Sequence, residues 1–251
     1  MILHRVRIAK NLLGDLYLAK VGKSLGTIVF LGGLPSYMHR SKFGESLAEL
    51  GFNVLQPFYY GSWVSGGNFS AKNCRKTVLD CLRALESKKS VFDLYAKENL
   101  PLAVERIFLG GISFGTNVIQ SLKTPNNVSK IFLVSAVPLF KKSYMEKIKL
   151  DGVKLADFMR RGFPNVYRTK DWRELEKEFS GNGKIFSNFR AKPSLITTYQ
   201  GENDKISPQA IRECLGNENI SIKIHEIKGA GHALNEFNED LLANIVAKDL
   251  I

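Results

Sequence analysis

The sequence predicts an α/β fold in which helices flank a mostly parallel central sheet. Segments typical of strands and of helices alternate along the chain, which is the order that parallel sheets require. Short apolar runs predict strands near residues 27–31, 53–57, 106–110, 130–136, 194–199 and 221–227. Helical patterns predict helices near residues 41–50, 73–88, 114–122, 207–214 and 235–248. Residues 1–7 look like one more strand at the amino-terminal end.

Length and composition indicate one domain. The chain has 251 residues, of which 44% are hydrophobic, so it can bury a substantial core. It contains no repeat and no apolar run near about 18 residues, and we therefore expect no membrane span. Charged residues lie among the first ten and no secretion signal follows them, so we expect a cytoplasmic location.

Cysteine usage points to the same compartment. The cysteines are odd in number and lack the spacing of metal ligands: Cys74, Cys81 and Cys214. A reduced, cytoplasmic setting fits them best. We expect neither a metal ion nor a cofactor.

The formal net charge of +12 raises the question of an anionic partner. Part of the excess lies in residues 139–190, where basic side chains are interspersed with acidic ones such as Glu146 and Asp157. No nucleic-acid-binding motif accompanies them. We interpret the charge as a solvated basic surface and expect no nucleic-acid partner.

A serine lies where a nucleophile would have to lie. The pattern G-x-S-x-G occurs at Gly111-Ile112-Ser113-Phe114-Gly115, between a strand-like apolar run and a helix-like segment. By itself the pentapeptide is a weak signal, but in this context a tight turn lifts the serine above the sheet edge. We expect a Cβ at either glycine to clash with the neighbouring strand or helix.

A carboxylate suited to orient a catalytic histidine follows the strand predicted near 194–199. Asp204 lies in the loop after that strand, at the edge where open α/β sheets assemble their sites. Glu202, two residues earlier in the same loop, is the competing candidate. We prefer Asp204 and keep Glu202 as the alternative.

The base is selected by elimination among four histidines. His4 and His39 precede the serine, whereas one known order of catalytic residues along a chain is Ser, Asp, His. His225 fits the alternating pattern of a strand. His232 follows that strand among small residues that allow a tight loop, and it is the predicted base.

These residue types together would activate a serine hydroxyl, which is a poor nucleophile without a base in hydrogen-bond reach. His232 would accept the proton of Ser113 and later give it to the leaving group. Asp204 would hold the imidazole in the required tautomer. The N–H group of Phe114, the residue after the serine, would stabilise the oxyanion.

A second glycine-rich stretch reveals a resemblance to a known family. Gly32-Gly33-Leu34-Pro35 follows the strand predicted at 27–31. With the serine motif and the order of acid and histidine, it resembles the α/β-hydrolase-fold serine hydrolases, in which an apolar strand leads into H-G-x-P. The resemblance implies that Leu34 donates the second oxyanion N–H. Gly32 departs from the family, which usually has a histidine there that supports the loop.

The resemblance implies an α/β-hydrolase fold whose core comprises residues 1–138 and 191–251, with a small helical cap inserted after the sixth strand. Roughly 60 residues separate the strands predicted at 130–136 and 194–199, too many for a simple crossover, and residues 139–190 are the candidate cap. A lid there would exclude water and line an acyl or aromatic pocket. Its aromatic residues could equally serve only to pack the cap onto the core.

Residues 58–70 resemble the loop after the fourth strand of the family, and their sequence is most similar to that of its peptidase-like and small-esterase branches. Tyr60 replaces the family's arginine, and no role is transferred to that position. The leading hypothesis is hydrolysis of a carboxylic ester or related acyl bond of a small molecule through an acyl-enzyme. Alternatives are an acylaminoacyl or dipeptidyl-type peptidase, and a binding protein that kept the fold without catalysis. The oligomeric state stays open.

Overall fold

The computed structural model describes residues 3–20, 22–36, 40–122, 127–137, 155–170, 172, 196–205, 208–209, 211–212, 223–232 and 238–251. The strands in these ranges are β1 Leu3–Ala9, β2 Leu12–Tyr17, β3 Thr27–Leu31, β4 Asn53–Pro57, β5 Ser90–Asp93, β6 Asn99–Pro101, β7 Ile107–Ile112, β8 Val128–Val134, β9 Ile196–Gly201 and β10 Lys223–Ile227. The helices are α1 Lys42–Glu49, α2 Ala71–Lys88, α3 Phe114–Gln120, α4 Leu155–Gly162 and α5 Glu239–Leu250.

The ten strands form one mixed sheet in the order β10-β9-β8-β7-β3-β4-β2-β1-β5-β6. The six strands from β10 to β4 in this order are parallel, and the remaining pairings are antiparallel. The carboxyl ends of parallel strands lie at one edge of a sheet. The loops that follow β3, β7, β9 and β10 therefore meet at that edge.

The six parallel strands begin and end within two residues of the bounds predicted from the sequence. The strands β2, β5 and β6 were not predicted. Gly14 and the buried Asp15 interrupt the apolar pattern of β2, while β5 and β6 have only four and three residues. Of the predicted helices, α1, α2 and α3 lie where expected, and α5 occupies most of the last predicted segment.

Two apolar layers pack on opposite faces of the sheet. One includes side chains of α2 and α3, and the other includes side chains of α1 and α5. Successive residues of a strand point to opposite faces, so a strand covered on both faces is apolar throughout. This explains the uninterrupted apolar run of β3, in which all five residues are buried.

Gly110 allows aromatic rings to pack across three strands. It pairs with Phe30 of β3 on one side and with Phe132 of β8 on the other. The rings of Phe30 and Phe132 stack with their centroids 5.8 Å apart. A Cβ at Gly110 would lie 2.1 Å from an atom of the Phe132 ring, so the ring occupies the space that a side chain on β7 would need.

Of the candidate cap, residues 139–190, the structure describes residues 155–170 and 172, which include α4. The segment follows β8, which is the sixth strand once the hairpin β5–β6 is set aside. That the segment forms a lid stays a prediction. Among the residues described, no helix is both long enough and apolar enough to cross a membrane.

Replacing Gly110 by alanine should destabilise the fold by about 2 kcal/mol, because the added Cβ overlaps a fully buried ring. Urea unfolding followed by fluorescence or circular dichroism measures the loss. Gly162→Ala is the matched control, since nothing lies within 4 Å of its Cβ, and it should change stability by less than about 0.5 kcal/mol. Equal effects of the two substitutions would contradict the steric account.

Candidate active site

Ser113 forms the turn between β7 and α3. The strand ends at Ile112 and the helix begins at Phe114, so the chain changes direction at one residue. Ser113 has φ 52° and ψ −115°, a conformation that is strained for a residue with a Cβ. Its N–H donates to the Val134 carbonyl of β8 at 3.0 Å, and its own carbonyl accepts from the Thr116 N–H at 2.9 Å. Hydrogen bonds on both sides therefore hold the strained turn in place.

The two glycines of the serine motif are required by close approach. A Cβ at Gly111 would lie 2.9 Å from the carbonyl carbon of Gly115 and from a methyl of Ile119. A Cβ at Gly115 would lie 2.5 Å from the carbonyl oxygen of Leu31. Since backbone atoms cannot move aside as a flexible side chain can, the clash expected from the sequence exists at both positions.

His232 lies beside the serine hydroxyl. The His232 Nε2 atom is 2.9 Å from Ser113 Oγ, and Nδ1 is 2.8 Å from Asp204 Oδ2. An ionised carboxylate can only accept, so the ring proton belongs on Nδ1 and Nε2 presents its lone pair to the hydroxyl. The structure thus brings together the serine, the acid and the histidine predicted from the sequence.

Hydrogen bonds between two loops place the acid near the histidine. The acid loop, residues 202–205, follows β9, and the histidine loop, residues 228–232, follows β10. The Asn203 N–H donates to the Ala230 carbonyl at 3.0 Å. A Cβ at Gly201, the last residue of β9, would lie 2.3 Å from the same carbonyl oxygen, so glycine is needed for this approach.

Asp204 is shielded from water and has two described donors. Its side chain is only 1% exposed, and Oδ2 accepts from His232 Nδ1 and from Gln200 Nε2, the latter at 2.6 Å. Gln200 is itself fully buried. Its role was not predicted from the sequence: the strand pattern of β9 indicates a buried position, but nothing in the pattern identifies the partner.

Glu202, the alternative acid, contacts backbone instead of the imidazole. Its Oε2 atom accepts from the Gly229 N–H at 2.9 Å, and the residue is exposed. This contact closes the turn after β10. In the structure it is Asp204, and not Glu202, that contacts His232.

The other described histidines make different contacts. The Nδ1 atom of His4 lies 2.6 Å from an oxygen of Asp93, and the Nε2 atom of His225 lies 2.7 Å from an oxygen of Asp249. His39 lies outside the described residues. Over the ranges described, no group of three or more His, Cys, Asp and Glu side chains could hold a metal ion.

The loop after β3, residues 32–36, passes beside the serine and is called the glycine loop below. A Cβ at Gly33 would lie 3.4 Å from the Cβ and 3.9 Å from the Oγ of Ser113. Leu34, one predicted oxyanion donor, is the next residue of this loop, and Phe114, the other, is the first residue of α3. That their N–H groups converge on one point stays a prediction.

Three side chains hold the glycine loop. The Tyr59 hydroxyl donates to the Gly32 carbonyl at 2.8 Å. Trp63 Nε1 donates to the Ser36 carbonyl at 3.0 Å, and the Ser36 N–H donates to the Tyr167 hydroxyl at 2.9 Å. The sequence indicated that the usual supporting histidine is absent at Gly32, but not which residues contact the loop in its place.

Residues 163–170, within the candidate cap, dock on the β4 loop, which is defined as residues 58–70. The Arg168 N–H donates to the Gly61 carbonyl and the Phe69 N–H donates to the Arg168 carbonyl, each at 2.7 Å. Part of the candidate cap is thereby paired to the core through its backbone. The Arg168 guanidinium adds hydrogen bonds to the carbonyls of Trp63, Ser65 and Gly67.

A cleft of about 850 Å³ opens beside Ser113 and His232. The glycine loop and Phe158 of α4 contribute to its wall. Phe158 is 45% exposed, whereas Tyr167 is 3% exposed and packs its ring on Phe69 with centroids 4.8 Å apart. Among the aromatic residues of the candidate cap, one therefore lines the cleft and another packs on the core.

Comparison with known proteins gives matches in structure but none in sequence. No protein-family profile and no curated protein matches the chain. The α/β hydrolase GrgF from Penicillium sp. sh18 is 16% identical, with a TM-score of 0.65 over 95% of this chain and 93% of its own. An α/β serine hydrolase homologue from Coxiella burnetii is 14% identical, with a TM-score of 0.61 over 100% and 97% of the two chains. Est1E from Butyrivibrio proteoclasticus, in a structure with bound ferulic acid, is 13% identical, with a TM-score of 0.64 over 94% and 93%.

The protein therefore has the fold of the α/β-hydrolase-fold serine hydrolases. The mixed sheet with flanking helices agrees with these structures over nearly the whole chain, and the fold predicted from the sequence is confirmed. At 13–16% identity the likeness carries the fold. The activity and the roles of the residues are argued from the site itself.

Replacing Ser113 by glycine should stabilise the fold while it removes the hydroxyl. With a Cβ, the conformation at φ 52° and ψ −115° costs about 1–3 kcal/mol of folding free energy, and glycine removes this cost. Glycine also has more freedom in the unfolded chain, which offsets about 1 kcal/mol of that gain. Ser113→Gly should thus exceed Ser113→Ala in free energy of unfolding by about 1 kcal/mol, measured in urea. The alanine variant keeps the Cβ and is the matched control. A Ser113→Gly variant less stable than Ser113→Ala by about 1 kcal/mol would mean that the turn stores no strain, because only the freedom of glycine in the unfolded chain would then separate the two variants.

Proposed function

We propose that this protein is a serine hydrolase that cleaves a carboxylic ester or related acyl bond of a small molecule through an acyl-enzyme on Ser113. The observation that carries the proposal is the chain of contacts from the Ser113 hydroxyl through His232 to Asp204, with separations of 2.9 and 2.8 Å. The hydroxyl and the imidazole border the cleft, where a substrate carbonyl can approach them.

Acylation begins when Ser113 Oγ attacks the carbonyl carbon of the ester. The hydroxyl proton passes to His232 Nε2, and the carbonyl electron pair moves onto the oxygen. When this tetrahedral intermediate collapses, the bond to the leaving oxygen breaks and His232 gives its proton to that oxygen. The alcohol leaves, and the acyl group remains esterified to Ser113.

Deacylation repeats these steps with water as the nucleophile. His232 accepts a proton from the water as its oxygen attacks the acyl carbon. The second tetrahedral intermediate then expels Ser113 Oγ, which recovers its proton from His232. The products are a carboxylic acid and the free enzyme.

Asp204 would keep the ring proton on Nδ1 and stabilise the imidazolium that forms during both steps. Its burial supports this role, because water does not compete for the carboxylate. The 2.6 Å hydrogen bond from Gln200 to the same oxygen restricts rotation of the carboxylate and so helps to orient the imidazole.

The N–H groups of Phe114 and Leu34 would stabilise the oxyanion. Phe114 directly follows Ser113 and is the first residue of α3, the position after the nucleophile from which this fold supplies an oxyanion donor. The approach of Gly33 to Ser113 supports the second donor, because it brings the backbone that precedes Leu34 next to the nucleophile.

Contacts of the β4 loop favour an ester over a peptide substrate. The peptidase alternative was suggested by the sequence of residues 60–63. The Tyr60 hydroxyl donates to Asp80 at 2.7 Å, and the Ser62 hydroxyl donates to the Tyr59 carbonyl at 2.8 Å. Both side chains are buried, so these groups stabilise the loop and are not available to bind the amino group of a peptide.

The chemical class of the substrate is supported by the cleft and by a structural neighbour. Phe158 presents an aromatic ring at the wall of the cleft. Est1E, which shares the fold, has been solved with ferulic acid bound. We propose a small acyl ester as the substrate and a capping role for residues 139–190, of which α4 is a described part.

A fluorophosphonate probe tests the nucleophile. Wild type should be labelled, because an activated serine oxygen attacks phosphorus and displaces fluoride. Ser113→Ala should lose the label, and its turnover of an activated ester should fall at least about 1000-fold. A heat-denatured sample controls for non-specific labelling.

Two outcomes would contradict the proposal. Labelling and turnover that survive Ser113→Ala would place the reactive group elsewhere. A folded wild type that is neither labelled nor active on a panel of activated esters would favour the alternative of a binding protein that kept the fold without catalysis.

Two substitutions in the acid loop test the choice of carboxylate. Asp204→Asn should lower kcat about 1000-fold or more, because an asparagine amide favours the wrong imidazole tautomer. Glu202→Gln removes the same charge from the same loop and should change kcat by less than about threefold. A larger loss in Glu202→Gln than in Asp204→Asn would reverse the assignment of the acid.

A further inference from the structure

We propose that Tyr59 is the positioning residue that holds the glycine loop in register with the nucleophile, a role that rests on the proposed hydrolase function. Tyr59 lies in the β4 loop, and its hydroxyl donates to the Gly32 carbonyl at 2.8 Å. It does not contact the hydroxyl of Ser113 in the described contacts. It acts through the backbone of the loop, and we assign it no part in the transfer of protons.

The Gly32 carbonyl lies where the glycine loop meets the nucleophile turn. A Cβ at Gly115 would lie 3.0 Å from the Gly32 carbonyl oxygen, so this oxygen is packed against the first turn of α3. One residue further, a Cβ at Gly33 would lie 3.4 Å from the Cβ of Ser113. The Tyr59 hydroxyl therefore donates its hydrogen bond to a peptide group that lies next to the nucleophile turn.

Two consecutive glycines leave this part of the loop without side chains that could restrict it. Glycine accepts a wide range of backbone angles, so the peptide groups around Gly32 and Gly33 can turn unless a contact holds them. Each peptide group is planar, so a hydrogen bond to its carbonyl restrains the orientation of the whole group. The next plane carries the Leu34 N–H. The Tyr59 hydroxyl thus limits the directions in which that N–H can point.

Tyr59 also contacts the other predicted oxyanion donor. Its ring packs edge-on against the ring of Phe114, with centroids 5.6 Å apart. One buried side chain therefore touches both elements from which an oxyanion site would be built. The contacts of Trp63 and Tyr167 are made at Ser36, at the far end of the loop, and do not duplicate this one.

The environment of Tyr59 makes its hydroxyl a constant donor. The residue is 1% exposed. Burial raises the pKa of Tyr59 well above its ordinary value, with further increases from Cys74 and Tyr167 nearby. The hydroxyl therefore keeps its proton across the pH range in which an enzyme of this kind would work, and the bond to Gly32 does not depend on pH there.

Tyr59→Phe removes the donor and keeps the ring contacts. We expect kcat for an activated ester to fall roughly 10- to 50-fold with KM changed less than about twofold, because an oxyanion interaction acts mainly in the transition state. The matched control is Tyr60→Phe, which removes the neighbouring buried hydroxyl, bonded to Asp80, and should leave kcat within about twofold of wild type. Replacing Tyr59 by 4-aminophenylalanine, which restores a donor, should recover most of the loss.

A readout independent of catalysis separates this inference from the proposed function. Amide hydrogen exchange of peptides covering residues 31–36 should be faster in Tyr59→Phe than in wild type, and unchanged in Tyr60→Phe. If wild type has no esterase activity, the proposed function fails, and this exchange experiment still decides whether Tyr59 holds the loop. If wild type is active and Tyr59→Phe matches it in kcat and in exchange, the inference is wrong.

The inference would also be overturned if Tyr59→Phe and Tyr60→Phe lowered kcat equally and accelerated amide exchange equally. Tyr59 would then contribute only to the packing of the β4 loop. Should Tyr59→Phe not fold, 4-methylphenylalanine fills the volume of tyrosine without a donor, and 4-aminophenylalanine fills it with one. Slower turnover in the first than in the second is the expected result. Equal turnover in these two variants would overturn the proposal.

Discussion

The strained turn at Ser113 depends on contacts with the neighbouring strands, which restrain its backbone from both sides. On one side, Gly115 lies against the Leu31 carbonyl at the end of β3, closer than any Cβ would allow. On the other, the Ser113 N–H is bonded to Val134 at the end of β8. Strain of this kind persists where its surroundings fix the backbone from several directions. The glycines, the apolar strands and the packing of α3 all serve to keep one serine in this position.

The three residues of the proposed catalytic triad are attached to one hydrogen-bonded ladder. Ser113 is bonded to the end of β8, Ser135 beyond β8 donates to the Tyr199 carbonyl of β9, and the acid loop is bonded to the histidine loop. The ladder thus continues past the ends of the strands. Its spacing, set by the sheet, places the imidazole within hydrogen-bond distance of the serine hydroxyl on one side and of the carboxylate on the other.

Much of this could be predicted from the sequence, because it is encoded locally. The parallel strands are apolar runs, and Ser113, Asp204 and His232 are marked by residue type, by flanking glycines and by order along the chain. What could not be predicted depends on contacts that the strand and helix patterns do not encode. Tyr59 and Gly32 are 27 residues apart in the sequence. Gln200 is close to Asp204 in the sequence, but their hydrogen bond depends on how the chain turns after β9, which the strand pattern does not indicate. The strands β5 and β6 have only four and three residues, too few to show the alternating pattern of a strand in the sequence.

The glycine loop, unlike the ladder, is attached to the rest of the molecule through individual side chains. Hydrogen bonds from Tyr59 and Trp63 and to Tyr167 hold it, each contributing only about 1 kcal/mol net. Substitutions at these positions can accumulate in evolution without unfolding the sheet and without moving serine, acid or histidine. A descendant of this chain could therefore keep all three residues in contact and still lose its chemistry. In this fold, an intact triad in a sequence is a weaker sign of an active enzyme than an intact triad together with the side chains that support the neighbouring loop.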